Sequence, residues 1–179
     1  MAEAATKPKR TRKKGAKTIA REYFEAVDRH DLDAMANSYK RGGKGRIHGV
    51  VELTVPDSYR NWFGNLFRAF PDFEFEIVDI AASGDRAAVR WRARATFSGD
   101  AKFEGLAPNG ARVDIEGCDM LTIEDEKIVE NNAYVNWAQL GQQLGVLPPQ
   151  GSFGEKAVTG IVNARTAATD TIRRLRERG

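Results

Sequence analysis

Cysteine occurs once in 179 residues, at Cys118, and histidine twice, at His30 and His48. A single thiol forms no internal disulfide, and one cysteine with two separated histidines makes no spaced metal cluster. The chain also lacks any run approaching the roughly 18 apolar residues of a membrane span. Its basic N-terminus is not followed by the apolar stretch of a secretory signal. These absences argue against a disulfide scaffold, a metal centre and a membrane span. They lead to the expectation of a reducing, cytoplasmic setting without a bound metal.

With 41% hydrophobic and 30% charged residues, the chain can bury one proper core, and its length favours one domain over two. The net charge of +3 is unevenly spread. Lys7, Lys9, Arg10, Arg12, Lys13, Lys14 and Lys17 face only Glu3 within residues 1–17, which leaves −3 for the remainder. The tail "KPKRTRKKGAK" has no apolar periodicity, and disorder is expected across 1–17. Such an arm either keeps the chain solvated or holds phosphates and acidic surfaces by counterion release.

Helical periodicity begins at Thr18, with Ile19, Tyr23, Phe24 and Val27 on one face, and restarts after Asp31, a fitting N-cap. "KRGGKGRIHG" reads as a Gly- and Lys-rich loop; it lacks the spacing and the Lys-Ser/Thr ending of a phosphate-binding loop. A third helix runs from Pro56 and Asp57 towards Pro71, carrying Tyr59, Trp62, Phe63, Leu66, Phe67 and Phe70. This aromatic stripe is core, one edge of which can line a cavity.

After Pro71 the period falls to two. Phe73, Phe75 and Ile77 alternate with Glu74 and Glu76, and a Ser83-Gly84-Asp85 turn follows. Val89, Trp91, Ala93, Ala95 and Phe97 then alternate with Arg90, Arg92 and Arg94. A third strand, Val113 to Glu124, and a fourth, Lys127 to Asn136, flank an Asp125-Glu126 turn. Helices followed by antiparallel strands predict an α+β domain, a curved sheet packed against N-terminal helices. Residues 154–179 predict a C-terminal amphipathic helix with Val158, Ile161, Val162, Ile172 and Leu175 on its apolar side, suited to docking on the domain or on another subunit. The expected division is 1–17 tail, 18–148 domain, and 149–179 linker and helix.

Parity places Asp119 on the apolar face with Ile115 and Leu121. Desolvation raises the pKa of such a carboxyl and suits it to general acid/base work, unless it is merely satisfied at a bulge or rim. On the next strand Glu130, Asn132, Tyr134 and Asn136 alternate. Pairing would let Asn132, Tyr134 and Asn136 converge with Asp119 and Trp91 in a small-molecule pocket, the alternative being a solvated edge strand. Trp62 would line that pocket. His48 is a candidate acid or base at its rim, or a plain loop histidine.

The strings "AREYFEAVDRHDLDAMANSY", "FRAFPDFEFEIVDIAASGDRAAVRWRA", "FEGLAPNGARVDIEGCDML", "DEKIVE" and "QQLGVLP", taken in order over about residues 18–148, resemble the SnoaL-like polyketide cyclases, or ester cyclases, of the NTF2-like superfamily. The resemblance rests on Phe-Pro-Asp at 70–72, Gly-Asp at 84–85 followed by Arg90-Trp91, Pro-Asn-Gly at 108–110 and Gln-Gln-Leu-Gly at 142–145. It implies a cone-like α+β fold with an internal pocket, assembly as a dimer or larger homo-oligomer, and cofactor-free ring closure of a hydrophobic polyketide-like carbonyl compound by aldol chemistry. The family commonly has Trp at the position of Asn132 and its acid/base Asp at that of Asn136, and an amide takes no proton. Either the role has moved to Asp119 or His48, or the protein is a noncatalytic binding or scaffold protein whose basic tail contacts nucleic acid or another polyanion.

Overall fold

The computed structural model describes residues 13–176, with some side chains near the C-terminus left out. Most of the tail expectation, and the side chains of Ile172 and Leu175, lie outside the described residues. Of residues 13–17, Ala16 and Lys17 already belong to a helix, α1 (Ala16–Asp28), and Ala16 is buried. The first helix therefore begins slightly before Thr18.

α1 buries Ile19, Ala20, Tyr23, Phe24 and Val27, spaced at three and four residues, so one helical face is apolar. His30, at φ 54°, turns the chain into α2 (Leu32–Asn37), where the Asp31 carboxylate accepts from the Ala34 N–H at 2.9 Å. α3 (Asp57–Ala69) supplies a second apolar face through Tyr59, Leu66 and Phe67.

The sheet has six strands, not the four that periodicity predicts. In chain order they are β1 (Tyr39–Ile47), β2 (Val51–Thr54), β3 (Glu74–Ser83), β4 (Arg86–Thr96), β5 (Arg112–Glu124) and β6 (Lys127–Val135), arranged β2-β1-β6-β5-β4-β3. The segment expected as a Gly/Lys loop is largely β1. It pairs antiparallel with β2 and parallel with β6, so neighbours on both sides satisfy its backbone and override its poor strand propensity. Its glycines have local causes. A Cβ at Gly43 would lie 2.9 Å from the Lys40 carbonyl oxygen and 3.1 Å from that of Ile128, at a register shift between Tyr39 and Lys44. At Gly45 the neighbours are the Tyr59 ring and the Tyr39 hydroxyl.

The long hairpins follow their alternation. β4 turns Ala87, Val89, Trp91, Ala93 and Ala95 inward, and β5 does the same with Val113, Ile115, Asp119, Leu121 and Ile123. The outward positions carry a ladder of ion pairs, Arg90–Glu116, Arg92–Asp114 and Arg94–Glu76. The β5–β6 turn holds Asp125 and Glu126 at φ 47° and 62°, the left-handed pair of a two-residue hairpin.

β6 departs from simple alternation. Thr122 pairs with Glu130 but Ile123 pairs with Ile128, so Val129 is an extra residue in a bulge. Ile128 faces the core before the bulge and Asn131 after it, which moves the inward set from even to odd positions.

The chain divides into two compact units, 1–136 and 137–179. The second contains α4 (Trp137–Gln143) and α5 (Phe153–Arg176). Phe153, Val158, Ile161 and Val162 of α5 are exposed. Among the described residues, no helix is long and apolar enough to cross a membrane.

Candidate functional site

The inner face of β5 carries one charged group, and its surroundings are built to hold it. Asp119 is 4% exposed, and each carboxylate oxygen accepts one hydrogen bond. Trp91 Nε1 donates to Oδ1 at 2.8 Å and Asn131 Nδ2 donates to Oδ2 at 2.6 Å. Burial pushes the carboxyl up to about 6, while the bonds from Asn131 and Trp91 pull the other way. Desolvation therefore outweighs the two donors and holds the Asp119 carboxyl well above the ordinary aspartate range.

Glycine lets Trp91 reach this acid. Gly117 lies opposite Trp91 across the β4–β5 pair, and a Cβ there would come within 2.3 Å of the indole Cζ2. The bare backbone lets the ring lie over β5 and present its N–H two residues along, at Asp119.

Three tyrosines complete the interior. Tyr23 from α1 and Tyr59 from α3 share a hydroxyl–hydroxyl hydrogen bond of 2.6 Å, and the rings of Tyr23 and Tyr59 both contact that of Tyr39 from β1. Burial raises all three well above the ordinary tyrosine range, with the neighbouring tyrosines and the Asp119 charge adding to the rise. They stay protonated, and one hydroxyl of the Tyr23–Tyr59 pair spends its proton on the other. Together these groups put a carboxyl of raised pKa and neutral hydroxyls in one aromatic interior, group types that are chemically able to move a proton and to hold an oxygen bearing developing charge.

The structure brings Asp119 and Trp91 together, as the pocket expectation required, but separates them from three other candidates. Asn132 and Tyr134 do not converge on Asp119; the Val129 bulge turns them to the opposite face. There the His48 ring stacks on Tyr134, centroids 4.3 Å apart at 8°, and His48 Nε2 lies 3.1 Å from Asn132 Oδ1. Tyr134 is 51% exposed. His48 therefore belongs to this outer cluster rather than to the rim of the Asp119 site. Asn136 is exposed and directly precedes α4. The Trp62 indole is half-buried on α3 and donates to Glu104 Oε1 at 3.1 Å, in the loop between β4 and β5.

Asn131, Tyr23, Tyr39 and Tyr59 are the inward polar residues that sequence reasoning missed. Asn131 was hidden by the bulge. The tyrosines were legible in one respect: Tyr23 and Tyr59 lie on apolar helical faces, and buried hydroxyls need partners. Among the described residues, no group of three His, Cys, Asp or Glu side chains is placed to hold a metal ion.

A curved sheet with helices over one face and polar groups inside it defines the NTF2-like, or ketosteroid isomerase-like, α+β fold. A solved protein from Catenulispora acidiphila with a ketosteroid isomerase-like fold, in complex with trimethylamine, superposes with TM-score 0.61, at 14% identity over 72% of this chain and 93% of that one. The family model for SnoaL-like polyketide cyclases matches residues 17–144, and the chain belongs to that family. AclR from Streptomyces galilaeus, described as a candidate hydroxylase, is 27% identical over 74% of this chain and 97% of that one, with TM-score 0.65. A candidate SnoaL-like polyketide cyclase from Jannaschia sp. CCS1 gives 18%, 78%, 99% and 0.63. The two likenesses below 25% bear on fold alone. No curated protein matched the chain.

Proposed function

We propose that the protein is a cofactor-independent enzyme acting on a hydrophobic, polyketide-like carbonyl compound, with Asp119 as its acid/base. Family membership supports a small-molecule enzyme. The observation that carries the chemistry is the buried carboxyl of Asp119, held between Trp91 and Asn131 and titrating near 6. Above that pH the carboxylate removes a proton alpha to a carbonyl. A tyrosine hydroxyl donates to the enolate oxygen so formed, and the enolate carbon attacks a second carbonyl of the same molecule. The proton held by Asp119 then passes to the new alkoxide, which regenerates the carboxylate. Enclosure in the aromatic interior supplies the folding that makes attack intramolecular.

Chromatography with mass spectrometry against a panel of polyketide-like keto esters tests this reading. Wild type should convert at least one member, and Asp119→Asn should lose about 100-fold or more while keeping its fold, the usual range for a removed acid/base. Equal turnover by Asp119→Asn would remove Asp119 from the chemistry. Homo-oligomeric assembly belongs to the same proposal, and light scattering of the purified chain measures it.

A further inference from the structure

α5 presents an apolar stripe to solvent. Val158, Ile161 and Val162 stand three and four residues apart and so share one face, and Ile161 is 70% exposed. Phe153, eight residues before Ile161, extends that side and is 87% exposed. The opposite side carries Lys156, Thr159, Asn163 and Thr166, all exposed. Apolar groups that gather along one side of a helix, rather than scatter over it, mark a surface that something covers.

Charge indicates what covers it. Residues 137–179 hold six Lys or Arg against three Asp or Glu, and Arg173, Arg174 and Arg176 fall within the last four positions of α5. Arg165, four residues after Ile161 and three after Val162, shares the face of the stripe. A second copy of the chain fits this poorly, because stripe-to-stripe packing sets like charges together or buries Arg165 without a counter-ion. We infer that α5 docks on an anionic lipid surface, with Phe153, Val158, Ile161 and Val162 towards the acyl chains and its arginines among the lipid phosphates. Arg165 suits that position, since its aliphatic stem runs along apolar surface while its guanidinium stays at the headgroups. The helix lies on the surface and does not cross it. An apolar stripe of a few residues gives only reversible attachment, and the basic N-terminus, with Lys7, Lys9, Arg10 and Arg12, supplies a second contact of purely electrostatic kind.

The probes are vesicles of phosphatidylcholine alone and vesicles of equal parts phosphatidylcholine and phosphatidylglycerol. Co-sedimentation of the full chain should show binding to the mixed vesicles that weakens as salt rises, and at least about 10-fold weaker binding to phosphatidylcholine alone. The double variant Val158→Gln, Ile161→Gln should bind the mixed vesicles about 10-fold or more weakly than wild type, because the apolar contact is gone. Gln ranks above Val and Ile in helix propensity, so the variant keeps α5, and far-UV circular dichroism checks it. The same change on the other side, Thr159→Gln with Asn163→Gln, should leave binding as in wild type. Failure of wild type to bind the mixed vesicles overturns the inference; a mass that drops in the Val158, Ile161 variant by light scattering would then give the stripe to a second copy. Binding that this variant retains also overturns it, since the basic tail alone would hold the lipid. So does an equal loss from the two double variants, which would mean that the apolar side has no special part.

Discussion

Protonation of Asp119 controls part of the domain's stability between about pH 4 and pH 7. Its folded pKa, near 6, stands above the ordinary aspartate value of 3.8. The folded state therefore binds more protons than the unfolded state in that window, and stability falls as pH rises through it. The difference corresponds to roughly 3 kcal/mol, at about 1.36 kcal/mol for each tenfold change in proton affinity, fully incurred above about pH 6 and absent below about pH 4. Urea denaturation across this range should show the loss in wild type and a flatter profile in Asp119→Asn. Gly117→Val tests the support of the same carboxyl. A branched side chain there collides with the Trp91 indole, which overpacking places at about 1–3 kcal/mol of destabilisation. Displacing the indole also removes a donor from Asp119, so the carboxyl should titrate higher, as read by NMR of the labelled carboxyl carbon. His48, stacked on Tyr134 across the sheet from the acid, gives the opposite expectation: His48→Ala should change turnover less than about threefold.

At the scale of elements, the strands differ in how plainly they are written. β4 and β5 alternate without interruption along the positions that line the core, and so Asp119 and Trp91 were legible as a pair. β6 was not, because a single residue, Val129, exchanges its faces and no residue type marks the place. The even-numbered amides drew attention, whereas the odd-numbered Asn131 holds Asp119. β1 was hidden for another reason. Its glycines read as loop, whereas they answer close approaches that exist only once β6 and Tyr59 are in place. Those approaches make a paired prediction. Gly43→Ala meets backbone carbonyl oxygens at 2.9 and 3.1 Å and should destabilise the fold by about 1–3 kcal/mol, while Gly45→Ala meets side-chain atoms at 3.6–3.8 Å and should cost less than about 1 kcal/mol. Thermal melts of the two variants measure the difference.

At the scale of the whole molecule, the family match covers residues 17–144, leaving the basic N-terminus outside it. Residues 1–12 carry Lys7, Lys9, Arg10 and Arg12. If the tail contacts a polyanion, deleting them should lower the salt slope of binding to single-stranded nucleic acid by up to about 3, at about 0.7 for each phosphate no longer neutralised; an equal slope in the deleted chain would end that role. The interior has its own consequence for exchange with the outside. Asp119, Tyr23 and Tyr59 are almost wholly shielded by the elements that carry them. If the proposed ligand binds there, it must wait for helix and sheet to part, so stopped-flow binding should reach a plateau at high ligand concentration. The plateau rate is that of the opening itself, the same for every ligand that fits.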